Sequence, residues 1–220
     1  MDWGPLWLSL RVASIATVIA VLLGVGLAAL LAWRRTPARD LLDAILSAPL
    51  VMPPTVLGYY VLVMLGRHSA LGKLWRDVFG SDIVFTETGA VVAATIGALP
   101  MVIKSARTAL EGVDRTLIAA ARTLGAGPLR AFFTVTLPLA APGVIAGATL
   151  GFARALGDFG VTLMVAGDIP GQTQTASLYI YDEIQANRDS DATTMVVLMT
   201  LIAVGALYLV NVLTRRDRGR

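Results

Sequence analysis

Apolar residues come in runs long enough to cross a bilayer, and no other property of this sequence limits its fold so strongly. Five such runs stand at about 7–33, 43–66, 86–105, 138–165 and 194–214. Each holds roughly 20 residues, the length a helix needs to span the hydrocarbon core. Inside lipid every backbone N–H and C=O must find a partner within the protein, which leaves helices or closed barrels. Unbroken runs of this length are not the alternating pattern of barrel strands. The expected fold class is all-α: a polytopic membrane helix bundle of about five transmembrane helices. Hydrophobic residues make up 56% of the chain and charged residues 15%, far from the balance of a water-soluble domain. The reading takes 1–220 as a single transmembrane domain, with connections near 34–42, 67–85, 106–137 and 166–193.

Charge placement sets an expected orientation. With the N-terminus outside, the cytoplasmic side holds Arg34, Arg35, Arg39, Lys104, Arg107, Arg115, Arg122, Arg130, Arg215, Arg216, Arg218 and Arg220. The outer side then holds only Arg67, Lys73, Arg76 and Arg188, while Arg11 and Arg154 fall within or at the edge of spans. Excess Lys and Arg marks the cytoplasmic face. The C-terminus and the 106–137 loop are therefore placed in the cytoplasm. The opening MDWGPLWLSL has an acid at Asp2 and no base before Arg11, so the first run reads as a retained span rather than a secretory signal. A pI of about 9.6 does not point to nucleic acid, because the basic residues flank apolar runs instead of sharing one soluble face. The chain has no Cys and one His, His68, in a polar connection. No metal site is expected, and no cofactor is expected to bind this chain.

Within the 106–137 loop, Leu117, Ala120, Ala121 and Leu124 recur at helical spacing and form one apolar face. Gly125 suits a helix end with positive φ, and Pro128 suits the first position of the next helix. A helix, a bend and a second helix make a knob that fits a partner's groove. The same face would also suit a helix lying on lipid.

The second run contains APLVMPPTVLGYY. Pro49, Pro53 and Pro54 each remove a backbone donor. A discontinuous helix in a membrane marks a substrate path or a structural kink. In the fourth run Gly143, Gly147 and Gly151 recur every four residues, a ridge that admits close helix packing. Arg154 and Asp158 follow on one face, placed either to pair or to meet substrate. The stretch GRHSALGK from Gly66 resembles a phosphate loop but has the wrong spacing and lacks the Ser or Thr after its Lys. The 166–193 connection, with Tyr179 to Tyr181, reads as an interfacial helix or a solvated loop.

The stretch from 119 to 138, AAARTLGAGPLRAFFTVTLP, resembles the cytoplasmic loop of bacterial ABC-importer permeases, E-A-A-x-x-x-G-x9-I-x-L-P. Ala120, Ala121, Gly125, Leu137 and Pro138 match that pattern; Ala119 replaces the Glu and Val135 the Ile. APLVMPPTVLGY, RTALEGVD, FARALGDFG and DIPGQTQT extend the likeness over about residues 9–185 and resemble the molybdate ABC-transporter permease family. The resemblance implies a subunit that forms a translocation pore by alternating access for molybdate or tungstate, with sulfate or thiosulfate as the alternative cargo. It implies a second copy of the chain, two cytoplasmic ATPase subunits that carry ATP and Mg, and an extracytoplasmic oxyanion-binding protein. It also implies the bacterial inner membrane as location. Leu117, Ala119, Ala120, Ala121, Leu124, Gly125, Leu137 and Pro138 are then the residues of ATPase coupling. Pro49, Pro53, Pro54, Arg154 and Asp158 are pore or gate candidates. The competing class is an intramembrane enzyme or a membrane scaffold without transport; against the enzyme, which needs convergent ionisable groups, the spans offer chiefly Arg154 and Asp158. The chain is read as a non-enzyme.

Overall fold

The computed structural model describes residues 2–33 and 37–217. Arg34, Arg35, Arg218 and Arg220, counted above on the cytoplasmic side, lie outside the described residues. Eleven α-helices and one π-helical segment, with no strand, make up the regular structure among the described residues.

Four helices are long and apolar enough to cross a membrane: Gly4–Ala32, Glu87–Glu111, Pro128–Leu156 and Asp189–Val210. The first lies in α1 (Gly4–Trp33), the second is α5 (Glu87–Glu111), and the fourth lies in α11 (Asp189–Asp217). The third joins α7 (Pro128–Ala131) and the π segment Phe132–Thr136 to α8 (Leu137–Leu156). The remaining run, 43–66, is not one helix. It divides into α2 (Pro37–Val51) and α3 (Pro54–Leu65), bent by 115°. Pro53 and Pro54 have no N–H to give to the carbonyls of Pro49 and Leu50, and Met52 before them is pushed away from helix. Pro49 does not break the chain; it sits inside α2.

Packing shows how the bent pair crosses. Val12, Ala16 and Ala20 of α1 cluster with Val91, Ala94, Ala98 and Val102 of α5, and farther along Ala28 clusters with Ala106 and Leu110. An ion pair of 3.0 Å joins Arg11 to Glu87 near the two N-termini. The helices α1 and α5 therefore run parallel, so the chain between them must return across the bundle. Of the bent pair, α2 is tied to the C-terminal end of α5, whereas Leu57 and Val61 of α3 cluster with Val161 and Val165 of α9 (Gly160–Ala166). Among the described residues this makes four continuous spans and one broken one.

The fourth run also ends earlier than 165. Gly157 closes α8, and α9 is a separate short helix. Antiparallel to α5, α8 seats its glycine ridge directly on that helix. A Cβ at Gly147 would lie 2.7 Å from Ser105 Cβ and one at Gly151 2.9 Å from Val102 Cγ2; one at Gly143 would overlap the Ala109 methyl. Close backbone approach recovers van der Waals contact, the main source of helix association where lipid is as apolar as the side chains.

On the far side of the bundle, α4 (Ala70–Phe79) is capped by the Ser69 hydroxyl, which accepts the Gly72 N–H at 2.8 Å. The 166–193 connection contains a short helix, and that helix is anchored on one side rather than lying free. Within it α10 (Ala176–Gln185) is built into the core: Leu178 is fully buried, and the Ala176 N–H donates to Ser9 Oγ of α1 at 2.7 Å.

Candidate functional site

Short of the expected 106–137, the projecting loop covers only about 112–127, because α5 runs on to Glu111 and the next span starts at Pro128. Between them lies α6 (Arg115–Thr123). Asp114 starts it: its carboxylate accepts the Thr116 N–H at 2.8 Å, a bond that holds the carboxyl below its usual range. The end is a Schellman turn. The Gly125 N–H donates to Arg122 O and the Ala126 N–H to Ala121 O, both at 3.1 Å, with Gly125 at φ +86°. Pro128 then takes the first position of α7.

A π turn follows, with the Leu137 N–H reaching back to Phe132 O. Leu137 and Pro138 thus belong to a membrane helix rather than to the loop. Pro138 has no N–H of its own, which favours the irregular ladder at this junction.

The helix α6 is anchored by one side chain that the sequence pattern does not single out. Ile118 packs on the cluster of Ala28, Leu110, Val113 and Phe132. Ala121 is half-buried beside it. Leu117, Ala119, Ala120 and Leu124 face outward, Leu124 being 89% exposed. Leu129 and Phe133 continue this apolar surface, and Arg115, Arg122 and Arg130 border it. The helix therefore has an inner face that docks and an outer face that is free.

Directly below α6, charges tie α5 to the broken span. Glu111 Oε1 accepts from Arg39 at 2.6 Å and from Arg107 at 3.0 Å, and Arg107 reaches Asp43 of α2 at 3.2 Å. This network was not among the expected site residues. Its one local signal is the i, i+4 spacing of Arg107 and Glu111; Arg39 is 72 residues from Glu111.

Deeper in the bundle Arg154 pairs with Asp158 at 2.8 Å. Asp158 Oδ2 also accepts the N–H of Thr162 at 2.9 Å and its hydroxyl at 2.7 Å, capping α9. Only 2% of the Asp158 side chain is exposed against 27% of Arg154. The pair joins α8 to α9, and α9 holds α3: a Cβ at Gly160 would lie 2.6 Å from Pro54 Cβ, and one at Gly58 the same distance from Met164 Cβ. The candidates Pro53, Pro54, Arg154 and Asp158 thus fall along one chain of contacts, whereas Pro49 lies on the other arm with α2.

A model of the family described as binding-protein-dependent transport system inner membrane component matches residues 20–216. The chain belongs to this family. The inner membrane component is 42% identical over 220 residues to the molybdenum transport system permease protein ModB of Escherichia coli K12, covering all of this chain and 96% of that one. It is 39% identical to the ModB of Azotobacter vinelandii, covering 94% of this chain and 93% of the relative. Its fold resembles that of the MetNI methionine ABC transporter in an inward-facing conformation, with a TM-score of 0.73 at 20% identity over 96% of this chain and 94% of that one. A bacterial transporter that imports alginate gives 0.75 at 13% identity, over 97% and 78%. The family, the curated relatives and the four apolar spans agree on a multi-pass membrane protein of the transport class.

Proposed function

We propose that this chain is the permease subunit of an ATP-driven importer for molybdate or tungstate. Two copies form the pore, two cytoplasmic ATPase subunits bind ATP and Mg and grip α6, and an extracytoplasmic oxyanion-binding protein delivers the cargo. The chain itself performs no catalysis and binds no cofactor; residues 1–220 act as one transmembrane domain in the bacterial inner membrane.

The end-to-end match with molybdenum permeases carries this reading. In the mechanism, closure of the ATPase pair moves α6 through its exposed Leu117, Ala119, Ala120, Leu124 and Gly125, with the half-buried Ala121 at the edge of that face. Movement enters the bundle by two routes. Ile118 and the Glu111 network pull on α2; Phe132, Leu137 and Pro138 transmit to α8. From α8 the Arg154–Asp158 pair carries the motion to α9 and α3. Since α2 and α3 meet at Pro53 and Pro54, the two routes converge on the 115° bend, which acts as the gate.

Reconstitution of the complete complex in liposomes tests the cargo. Molybdate is expected to accumulate only with ATP and the binding protein present. Equal accumulation of sulfate, or none of either oxyanion, would overturn the assignment.

The orientation places the N-terminus outside and the C-terminus in the cytoplasm. Because the chain has no Cys, one can be placed at will. Ser81→Cys, at an exposed site, is expected to react with an impermeant thiol reagent in intact cells, and Leu124→Cys only after the cells are opened. Reversed labelling would refute the orientation.

A further inference from the structure

We propose that Lys104 is an anion-binding position on the cytoplasmic half of the translocation path, receiving a tetrahedral oxyanion as it leaves. This deepens the transport reading above and rests on it.

The first observation is an unbalanced charge. Arg11, Arg107 and Arg154 of the spanning helices each have a carboxylate partner, as does Arg39 of the broken span. Lys104 lies inside α5, is exposed, and makes no ion pair or hydrogen bond among the described residues. It stands seven residues before the end of the helix, about 10 Å at the rise of an α-helix. An unpaired cation at the cytoplasmic end of a span is free to meet water or an ion.

Its position on the helix is the second observation. Gly97, Met101, Lys104 and Thr108, spaced by four, three and four residues, share one stripe of α5. At the Gly97 end of this stripe lies the Arg154 guanidinium, whose nitrogen is 3.4 Å from the place a Cβ would take. Two turns farther toward the cytoplasmic end comes Lys104. The stripe becomes more open on the way: Gly97 is buried, Met101 half-buried, and Lys104 and Thr108 exposed.

Here the stripe enters a cleft of about 830 Å³ bounded by α5, α8 and the start of α6, lined by Lys104, Ser105, Thr108, Leu117, Gly143 and Ala146. The cleft opens beside the tightly packed glycine seam, and the Ser105 and Thr108 hydroxyls at its wall supply further donors. The one carboxylate at the cleft, Asp114, is held by the Thr116 N–H.

Chemistry distinguishes the two cations. Arg154 is neutralised by Asp158 and has little field left for a passing anion. Lys104 offers three free donors on a compact, strongly hydrated charge. Such a group attracts a tetrahedral oxyanion without the bidentate grip of a guanidinium. Weak holding suits an exit position, since conduction requires that an ion bind well enough to enter and loosely enough to leave. The opposing view is a lysine that merely snorkels toward the interface; such a side chain would tolerate loss of its charge.

The test uses Lys104→Cys in the complete complex with its ATPase and binding protein, in liposomes, with molybdate as the probe. The side chain is exposed and holds no ion pair or hydrogen bond among the described residues that the change would break. ATPase retention and melting temperature are expected to match the wild type, while the initial uptake rate falls about tenfold or more. A cationic methanethiosulfonate reagent restores the charge and should recover uptake; an anionic one should not. Lys104→Arg should keep most of the rate. Wild-type uptake by Lys104→Cys, or equal effects of the two reagents, overturns the proposal and leaves the transport reading standing. If the wild-type complex itself fails to accumulate the oxyanion, the transport reading falls and takes this site with it.

Discussion

Gly125→Asp is expected to insert and dimerise normally, yet to lose its ATPase and stop transporting. At φ +86°, Gly125 is in the left-handed region, and an added Cβ would meet nothing within 4 Å. Strain is then the whole internal cost, about 1 kcal/mol. That is too little to unfold the bundle, since the Schellman turn lies outside the packed helices. The partner meets the larger cost. Leu124 beside it is 89% exposed, and a carboxylate added at the centre of this apolar surface would be desolvated when a partner covers it. Co-purification of the ATPase should fall about tenfold or more, which takes only 1.4 kcal/mol of lost binding free energy. Gly125→Ala, which adds the same strain without the charge, should keep most of both activities. Normal ATPase retention together with normal uptake in Gly125→Asp would remove the coupling role assigned to this loop.

Asp158→Ala should produce the largest loss of stability. One nearly inaccessible carboxylate serves two elements: it neutralises Arg154 at 2.8 Å and caps α9 through Thr162. Removing the carboxylate leaves the part-buried Arg154 charge uncompensated, at a cost toward the lower end of about 3–5 kcal/mol because 27% of that side chain stays exposed. The uncapped start of α9 adds about 1 kcal/mol. Since α9 packs against α3, the damage spreads to the bend. Low yield and a depressed melting temperature of the detergent-purified protein are expected. Asp158→Asn keeps an acceptor for the Thr162 N–H but loses the charge and the acceptor for Arg154, so it should fall between the wild type and Asp158→Ala. A melting temperature for Asp158→Ala equal to that of the wild type would show that the pair contributes nothing to holding α8, α9 and α3 together.

Local chemistry made some features legible in the sequence. Apolar runs of bilayer length required spanning helices, because unpaired backbone groups are intolerable in lipid. The Gly125 turn depends on one residue type that tolerates positive φ, followed by a proline suited to a helix start. Four-residue spacing brought Arg154 to Asp158 and aligned Gly143, Gly147 and Gly151, since such residues share a helix face whatever surrounds it. Proline pairs announced a break in the second run.

Other features depended on which helices meet, and no local spacing encodes that. The break at Pro53 and Pro54 was readable; its 115° angle was set by α2 bonding to the end of α5 while α3 packs on α9. Arg39 and Glu111 meet across 72 residues only because α5 returns parallel to α1. Residues 176–185 looked like a surface segment until Ser9 and Met195 closed over them. The apolar face predicted for α6 turned outward, and Ile118, one position off that face, became the anchor. Periodicity states which residues lie on one side of a helix, whereas packing against Phe132 and Leu110 decides which side is inside. The sequence alone therefore determined the apolar runs and the turns, and the tertiary contacts decided their directions, the bend and the free surface of α6.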